Sequence, residues 1–343
     1  MKNIATGTGH EKRRFRTAEQ EPHSKTVRTH KKYGTALKAK PFFHNNSVSA
    51  ETLDLLVQSI KDEDIVKPVN VAQVNQFSPF RYPGGKTWLV PQVRRWIQSL
   101  SYRPSVFIEP FAGGGIVGLT VAIEKLAEHV VLCELDEDVA AVWQVILGES
   151  NKDAEWLTKQ ILEFDVTHKN VTAVLNKEVK GTRERAFRTI LKNRTQRGGI
   201  LARGASLVKA GENGKGLRSR WYPRTLVKRM QIIREHRNSI EFRHQDAFDV
   251  IREFSQTSGV AWFIDPPYTA GGKKAGRRLY VHTEIDHSLL FDLIQKARGE
   301  FLMTYDEAEE VEELSLDHRF KVSFIPMKNT HHIIVREILI TRA

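Results

Sequence analysis

The stretch that most restricts this chain is "SVFIEPFAGGGIVGLTVAIEKLAEHVVLCELD", residues 105–136. It reads as an apolar strand, a glycine turn, an apolar helix and a second strand that ends in acids. Strand, helix, strand in this order has parallel-sheet character, because two parallel neighbours need a crossover and the helix supplies it. The fold class is therefore α/β, and ligands are expected at the carboxyl edge of the sheet. Gly113, Gly115 and Gly118 satisfy G-x-G-x-x-G, and Glu134 lies 21 residues beyond Gly113 at the end of the next strand. Such a unit brings backbone close to a ligand through its glycines and binds an adenosine ribose through its acid. The spacing by itself admits a nicotinamide dinucleotide as readily as a methyl donor. Glu109, Pro110 and Phe111 crowd the place where a pyrophosphate would meet the helix N-terminus, so a cofactor without phosphates fits better.

A second constraint is "WFIDPPY", residues 262–268, where an apolar run ends in a carboxylate and two prolines. The strand delivers Asp265 to the same sheet edge. Pro266 and Pro267 remove two backbone donors and fix two φ angles, which makes the corner a rigid acceptor. The Asp265 side chain and the Pro266 carbonyl suit a ligand with two N–H donors, such as an exocyclic amine. Tyr268 adds a flat face on which a nucleobase can stack, worth roughly 1 to 3 kcal/mol, and which attracts a cation. In "YPGGK", glycines followed by Lys86 allow close backbone approach and a charge that can pair with a ligand carboxylate.

The rest of the chain frames these motifs. Residues 1–46 are polar and basic without periodicity, a tail that solubilises or touches phosphate loosely; Glu11, Glu19 and Glu21 argue against a transit peptide. A short helix is expected near residues 50–60, in "SAETLDLLVQSI", with a linker to 76. From residue 77 a loop and an amphipathic helix lead into the strand-turn-helix unit. After the middle segment, "GVAWFIDPPY", "SLLFDLIQKA", "EFLMTYD" and a β-rich end complete the α/β frame. No apolar stretch approaches the roughly 18 residues of a membrane span. The single Cys133 allows neither an internal disulfide nor a multi-cysteine zinc site, and no metal is expected. Lying within a strand, Cys133 reads as a small core residue.

Charge points to the partner. The formal net charge is +12, which favours a polyanion such as nucleic acid. Between residues 180 and 237 there are 17 Lys and Arg against Glu184, Glu212 and Glu235, a local +14 that exceeds the total for the whole chain. With Trp221 and Tyr222 interleaved, this segment reads as a phosphate-tracking surface. Within it, "LVKAGENGKGLRSR" reads as a hairpin with an Asn213-Gly214 turn.

"PFRYPGGK" (79–86), "FIEPFAGGG" (107–115) and "DPPY" (265–268), in this order, resemble the Dam-type, class alpha adenine-specific DNA methyltransferases. The resemblance runs from about residue 77 to the C-terminus. It implies a Rossmann-like sheet built from 77–149 and 240–343, with a basic, mostly helical target-recognition domain inserted at 150–239. It implies methyl transfer from S-adenosyl-L-methionine to the 6-amino group of adenine in double-stranded DNA. Tyr82 and Lys86 would then line the methionine end of the cofactor and Glu134 its ribose, with Glu109, Phe111, Gly113, Gly115 and Asp265 also against the cofactor. Asp246 would meet the cofactor's adenine beside Phe248, and Asp265, Pro266 and Tyr268 would hold the target base. The recognisable ends of the insert put Asn193, Arg194, Arg197, Lys215, Arg218 and Arg220 on DNA. A cytoplasmic, bacterial or phage-encoded enzyme is implied, with a cognate restriction endonuclease as a further partner. RNA or a protein glutamine is the nearer rival substrate, since related corners serve both. An oxidoreductase would leave the Asp265 corner and the basic segment without a role. An inactive DNA-binding relative would leave the intact corner and Lys86 loop unexplained.

Overall fold

The computed structural model describes residues 69–81, 85–202, 204–211, 214–267, 285–328 and 334–343. The expected tail, the helix near 50–60, Tyr82, Asn213 and Tyr268 lie outside the described residues. Seven strands form one sheet in the order β3-β2-β1-β4-β5-β7-β6. They are β1 (Val106–Glu109), β2 (His129–Cys133), β3 (Ile240–Arg243), β4 (Val260–Ile264), β5 (Glu300–Asp306), β6 (Lys321–Lys328) and β7 (Ile334–Thr341). The pairs among β1 to β5 are parallel, with Phe107 opposite Val130 and Ala261. β7 runs antiparallel between β5 and β6.

Alternation along each strand separates two cores, as the period of two requires. Phe107, Val130, Leu132, Ala261, Phe263 and Leu302 face one side. Ile108, Val131, Cys133, Trp262, Ile264 and Met303 face the other. Helices α1 (Val90–Ser99), α2 (Ile116–Ile123) and α3 (Glu137–Leu147) cover the first face. Helices α8 (Ala247–Phe254), α9 (His287–Lys296) and α10 (Glu309–Asp317) cover the second. Their starts are written in the sequence: Pro91 opens α1, and the carboxylates of Asp136, Asp246 and Asp286 cap α3, α8 and α9 by accepting from backbone N–H groups.

The chain between α3 and β3 contributes no strand to the sheet. It forms α4 (Asn151–Glu163), α5 (His168–Asn176), α6 (Thr182–Thr195) and α7 (Pro223–Glu235), joined by short 3-10 turns. Leu157, Ile161, Phe187, Ile190, Leu226 and Met230 from these helices share one core with α3 and the first sheet face. The expected hairpin is replaced by a curled segment. Leu207 makes an isolated antiparallel bridge with Gln196, residues Gly216–Arg220 wind into a 3-10 turn, and the Gly216 N–H donates to the Ala210 carbonyl at 2.8 Å. Left-handed φ angles of 66°, 69° and 56° at Gly211, Gly214 and Gly216 bend the backbone away from extended pairing.

Strand order reverses between β1 and β4. Chain leaving β1 builds one half of the sheet, and chain leaving β4 builds the other. A crevice therefore opens beyond their carboxyl ends, bordered by Glu109 and Asp265.

Candidate active site

That crevice is a cavity of about 770 Å³. Its floor is the glycine turn. Gly113 and Gly115 sit at φ 48° and 60°, and a Cβ on Gly115 would lie 3.2 Å from the Trp143 ring. Trp143, fully buried on α3, fixes the turn by donating its indole N–H to the Gly113 carbonyl at 3.0 Å. Two carboxylates occupy the amides at which a phosphate would bind. Glu109 accepts from the Gly118 N–H at 2.7 Å, and Glu134 accepts from the Gly113 N–H at 2.9 Å and the Asp136 N–H at 2.8 Å. Burial pushes Glu109 well above the usual carboxylate range; the Gly118 bond opposes this, and nearby Asp265 adds to it. Burial raises Glu134 to about 7, with its backbone hydrogen bonds opposing. The Gly118 amide of α2 and the Gly113 amide of the turn are thus already taken by side-chain oxygens, which disfavours a pyrophosphate there.

The other wall is electrostatic. Lys86, 4% exposed, bonds Glu337 of β7 and lies 3.3 Å from Asp265. Thr304 of β5 donates to the same Asp265 oxygen at 2.9 Å. Burial pulls the Lys86 ammonium down, and the carboxylates of Asp265 and Glu337 more than reverse this, leaving it above its ordinary value. The cation expected to meet a ligand carboxylate is thus paired with two carboxylates of the protein. Neither Glu337 nor Thr304 was singled out by sequence reasoning. The available signal for Glu337 was an acid inside the apolar run "REILIT", at a position that shares a sheet face with Leu339.

Of the residues expected to hold cofactor, Lys86, Glu109, Phe111, Gly113, Gly115, Glu134, Asp246, Phe248 and Asp265 all line this one cavity. Asp246 also caps α8 by accepting from the Phe248 N–H at 2.8 Å. Pro266 is buried behind the wall, and Pro267 lines it. Cys133 is fully buried, donates its thiol to the Gln245 carbonyl at 3.1 Å, and is pushed up to about 12 by burial, as befits a core residue.

The residues expected on DNA divide. Arg194 and Arg220 line the cavity, joined by Arg81 and Arg229, which sequence reasoning did not select. Burial and the like charges of Arg229, Arg81 and Arg220 lower Arg194 to about 9. Arg197 and Lys215 are exposed away from the cavity lining. Arg218 is exposed but tied to Asp165 at 2.7 Å and to the Val166 carbonyl at 3.1 Å. Asn193 is fully buried and is a backbone clamp: it accepts from the Arg81 N–H at 2.9 Å and donates to the Arg81 and Gly199 carbonyls at 3.1 and 2.8 Å. Its enclosure leaves no atom for a phosphate. Several basic residues of the insert likewise stitch the fold, since Arg185, Arg188 and Lys192 of α6 surround Asp138 of α3 at 3.3, 3.2 and 3.8 Å.

The sheet order with β7 reversed inside it, and a carboxylate-lined crevice at the switch point, are those of a Rossmann-like methyltransferase fold. A sequence profile of the D12 class N6 adenine-specific DNA methyltransferases matches residues 82–333, and the chain belongs to that family. No curated protein sequence matches it. Among solved structures it is similar to a candidate RNA methyltransferase from Pyrococcus horikoshii, at 11% identity and TM-score 0.35, over 84% of this chain and 96% of that one. It is also similar to the rRNA methyltransferase AviRa from Streptomyces viridochromogenes, at 13% identity and TM-score 0.37, over 76% and 86%. Among the described residues no helix is long and apolar enough to cross a membrane.

Proposed function

We propose that this protein is a site-specific DNA methyltransferase that methylates the exocyclic 6-amino group of adenine in duplex DNA, with S-adenosyl-L-methionine as donor. The observation that carries the reading is the placement of Asp265 on the wall of the same cavity as Glu134 and Asp246. The residues fit this cofactor: the left-handed glycines admit a ligand against the backbone, the carboxylates of Glu134 and Asp246 suit hydroxyl and amino donors, and the Gly113 and Gly118 amides already held by Glu134 and Glu109 favour a ligand without phosphates. When bound, it supplies an electrophilic methyl group on a sulfonium, whose S–C electron pair stays on sulfur as the neutral thioether leaves.

Adenine N6 is a poor nucleophile because its lone pair is delocalised into the ring. Asp265 and the Pro266 carbonyl accept its two hydrogens and favour a pyramidal nitrogen. Thr304 fixes the Asp265 carboxylate, so little reorganisation is needed as charge develops. After transfer the surplus proton leaves through Asp265 to solvent. A stacked base cannot reach this crevice, so the nucleotide rotates out of the duplex. Segment 150–239 serves as the target-recognition region, with Arg81 and Arg220 at the cavity facing the strand that carries the base, while buried Arg194 and half-buried Arg229 donate to the Pro79 and Ser78 carbonyls. The roles that the family motifs imply for Tyr82 at the cofactor and Tyr268 at the target base belong to the same reading, the enzyme works in the cytoplasm, and a restriction endonuclease is its cognate partner.

Tritiated methyl groups should pass from the donor to duplex DNA, with the rate reduced at least about a hundredfold in Asp265→Ala. Label appearing on RNA or protein in place of DNA would refute the substrate assignment.

A further inference from the structure

We propose that Glu337 is a positioning residue for methyl transfer: from the buried face of β7 it holds the Lys86 ammonium against Asp265 and keeps this three-group cluster net negative. This rests on the functional reading above. Glu337 is 1% exposed, in a strand whose other buried side chains among those described, Ile338, Leu339 and Ile340, are aliphatic. A carboxylate in such a place is costly unless it is paired, and its partner is Lys86. The pairing follows from the sheet. Glu337 and Leu339 point to the same face of β7 as Leu302 and Thr304 do on β5, and Asp306 stands opposite Glu337 in the ladder. The Thr304 hydroxyl and the Lys86 ammonium therefore reach one Asp265 oxygen from two directions.

The charges decide what this arrangement does. Lys86 alone beside Asp265 would neutralise the carboxylate that the target amine must use. With Glu337 present this cluster has two carboxylates to one ammonium. As N6 acquires a fourth bond it becomes cationic before its proton leaves, and a net negative wall stabilises that charge. The groups facing Asp265 among the described residues are Lys86 from the loop before α1, Glu109 from β1, Thr304 and Tyr305 from β5, and Glu337 from β7.

Single-turnover methylation of duplex DNA across a pH series tests this. In Glu337→Gln the plateau rate should fall at least about tenfold, with duplex affinity within about threefold of wild type. With one fewer anion beside the site, the acid limb should move to lower pH. Lys86→Met removes the cation and should move the same limb upward. Glu337→Asp should recover most of the rate, because it retains the charge. Equal losses in Asp and Gln variants, or limbs that stay in place in both Gln and Met variants of an active enzyme, would overturn the role of Glu337 alone. Wild-type protein that transfers nothing to duplex DNA would overturn both this role and the functional reading.

Discussion

Glu134 offers a quantitative test of cofactor binding. Burial raises its carboxyl to about 7, so near neutrality the group is divided between a protonated form and the anion that accepts fully from a ribose diol. If the diol binds the anion, ligand affinity is complete above that value and is lost as pH falls through it. The ionised fraction is about nine-tenths at about pH 8 and about one-tenth at about pH 6, so Kd should weaken about tenfold between them. The direction is set by desolvation, which overcomes the hydrogen bonds from Asp136 and Gly113. Isothermal titration with S-adenosyl-L-homocysteine reads this without turnover. Glu134→Gln should bind more weakly at about pH 8 and should show a flat profile. A flat profile in the wild type, or an unchanged slope in the variant, would refute the assignment of Glu134 to the ribose.

Two further predictions concern the insert. Asn193→Ala removes three buried hydrogen bonds to the backbone of Arg81 and Gly199, and should lower stability by about 2 to 3 kcal/mol in chemical denaturation; unchanged stability would mean that the clamp is not needed. Arg220→Ala should reduce the slope of log K against log salt for duplex binding by about one. Arg188→Ala, whose partner is Asp138, should leave that slope in place, and a loss there would put α6 on the DNA.

Much of the frame was legible because its signals are local. The strand-glycine-helix unit with the acid after β2, and separately the Asp265 corner, are each spelled out within one short stretch of sequence. The sheet edge then gathers them, as doubly wound folds require. What escaped depends on contacts between distant segments. Lys86 and Glu337 are 251 residues apart, and nothing near either one announces the other. Asn193 looked like a polar residue in a basic stretch, yet the approach of residue 81 turns it inward. The charge excess of the insert was correctly located, but its division between DNA-facing and fold-stitching arginines depends on where the acids of α3 stand. The hairpin reading failed because three glycines in a row of turns favour curling as much as pairing.

The central claim is that the Asp265 pocket methylates the amino group of adenine in DNA. Mass spectrometry of nucleosides from duplex DNA incubated with the protein and S-adenosyl-L-methionine tests it most directly, with folded RNA treated in parallel. The account predicts N6-methyl-2′-deoxyadenosine from DNA treated with wild type and none above background with Asp265→Ala. Methylated cytosine, or methyladenosine from the RNA alone, would contradict it.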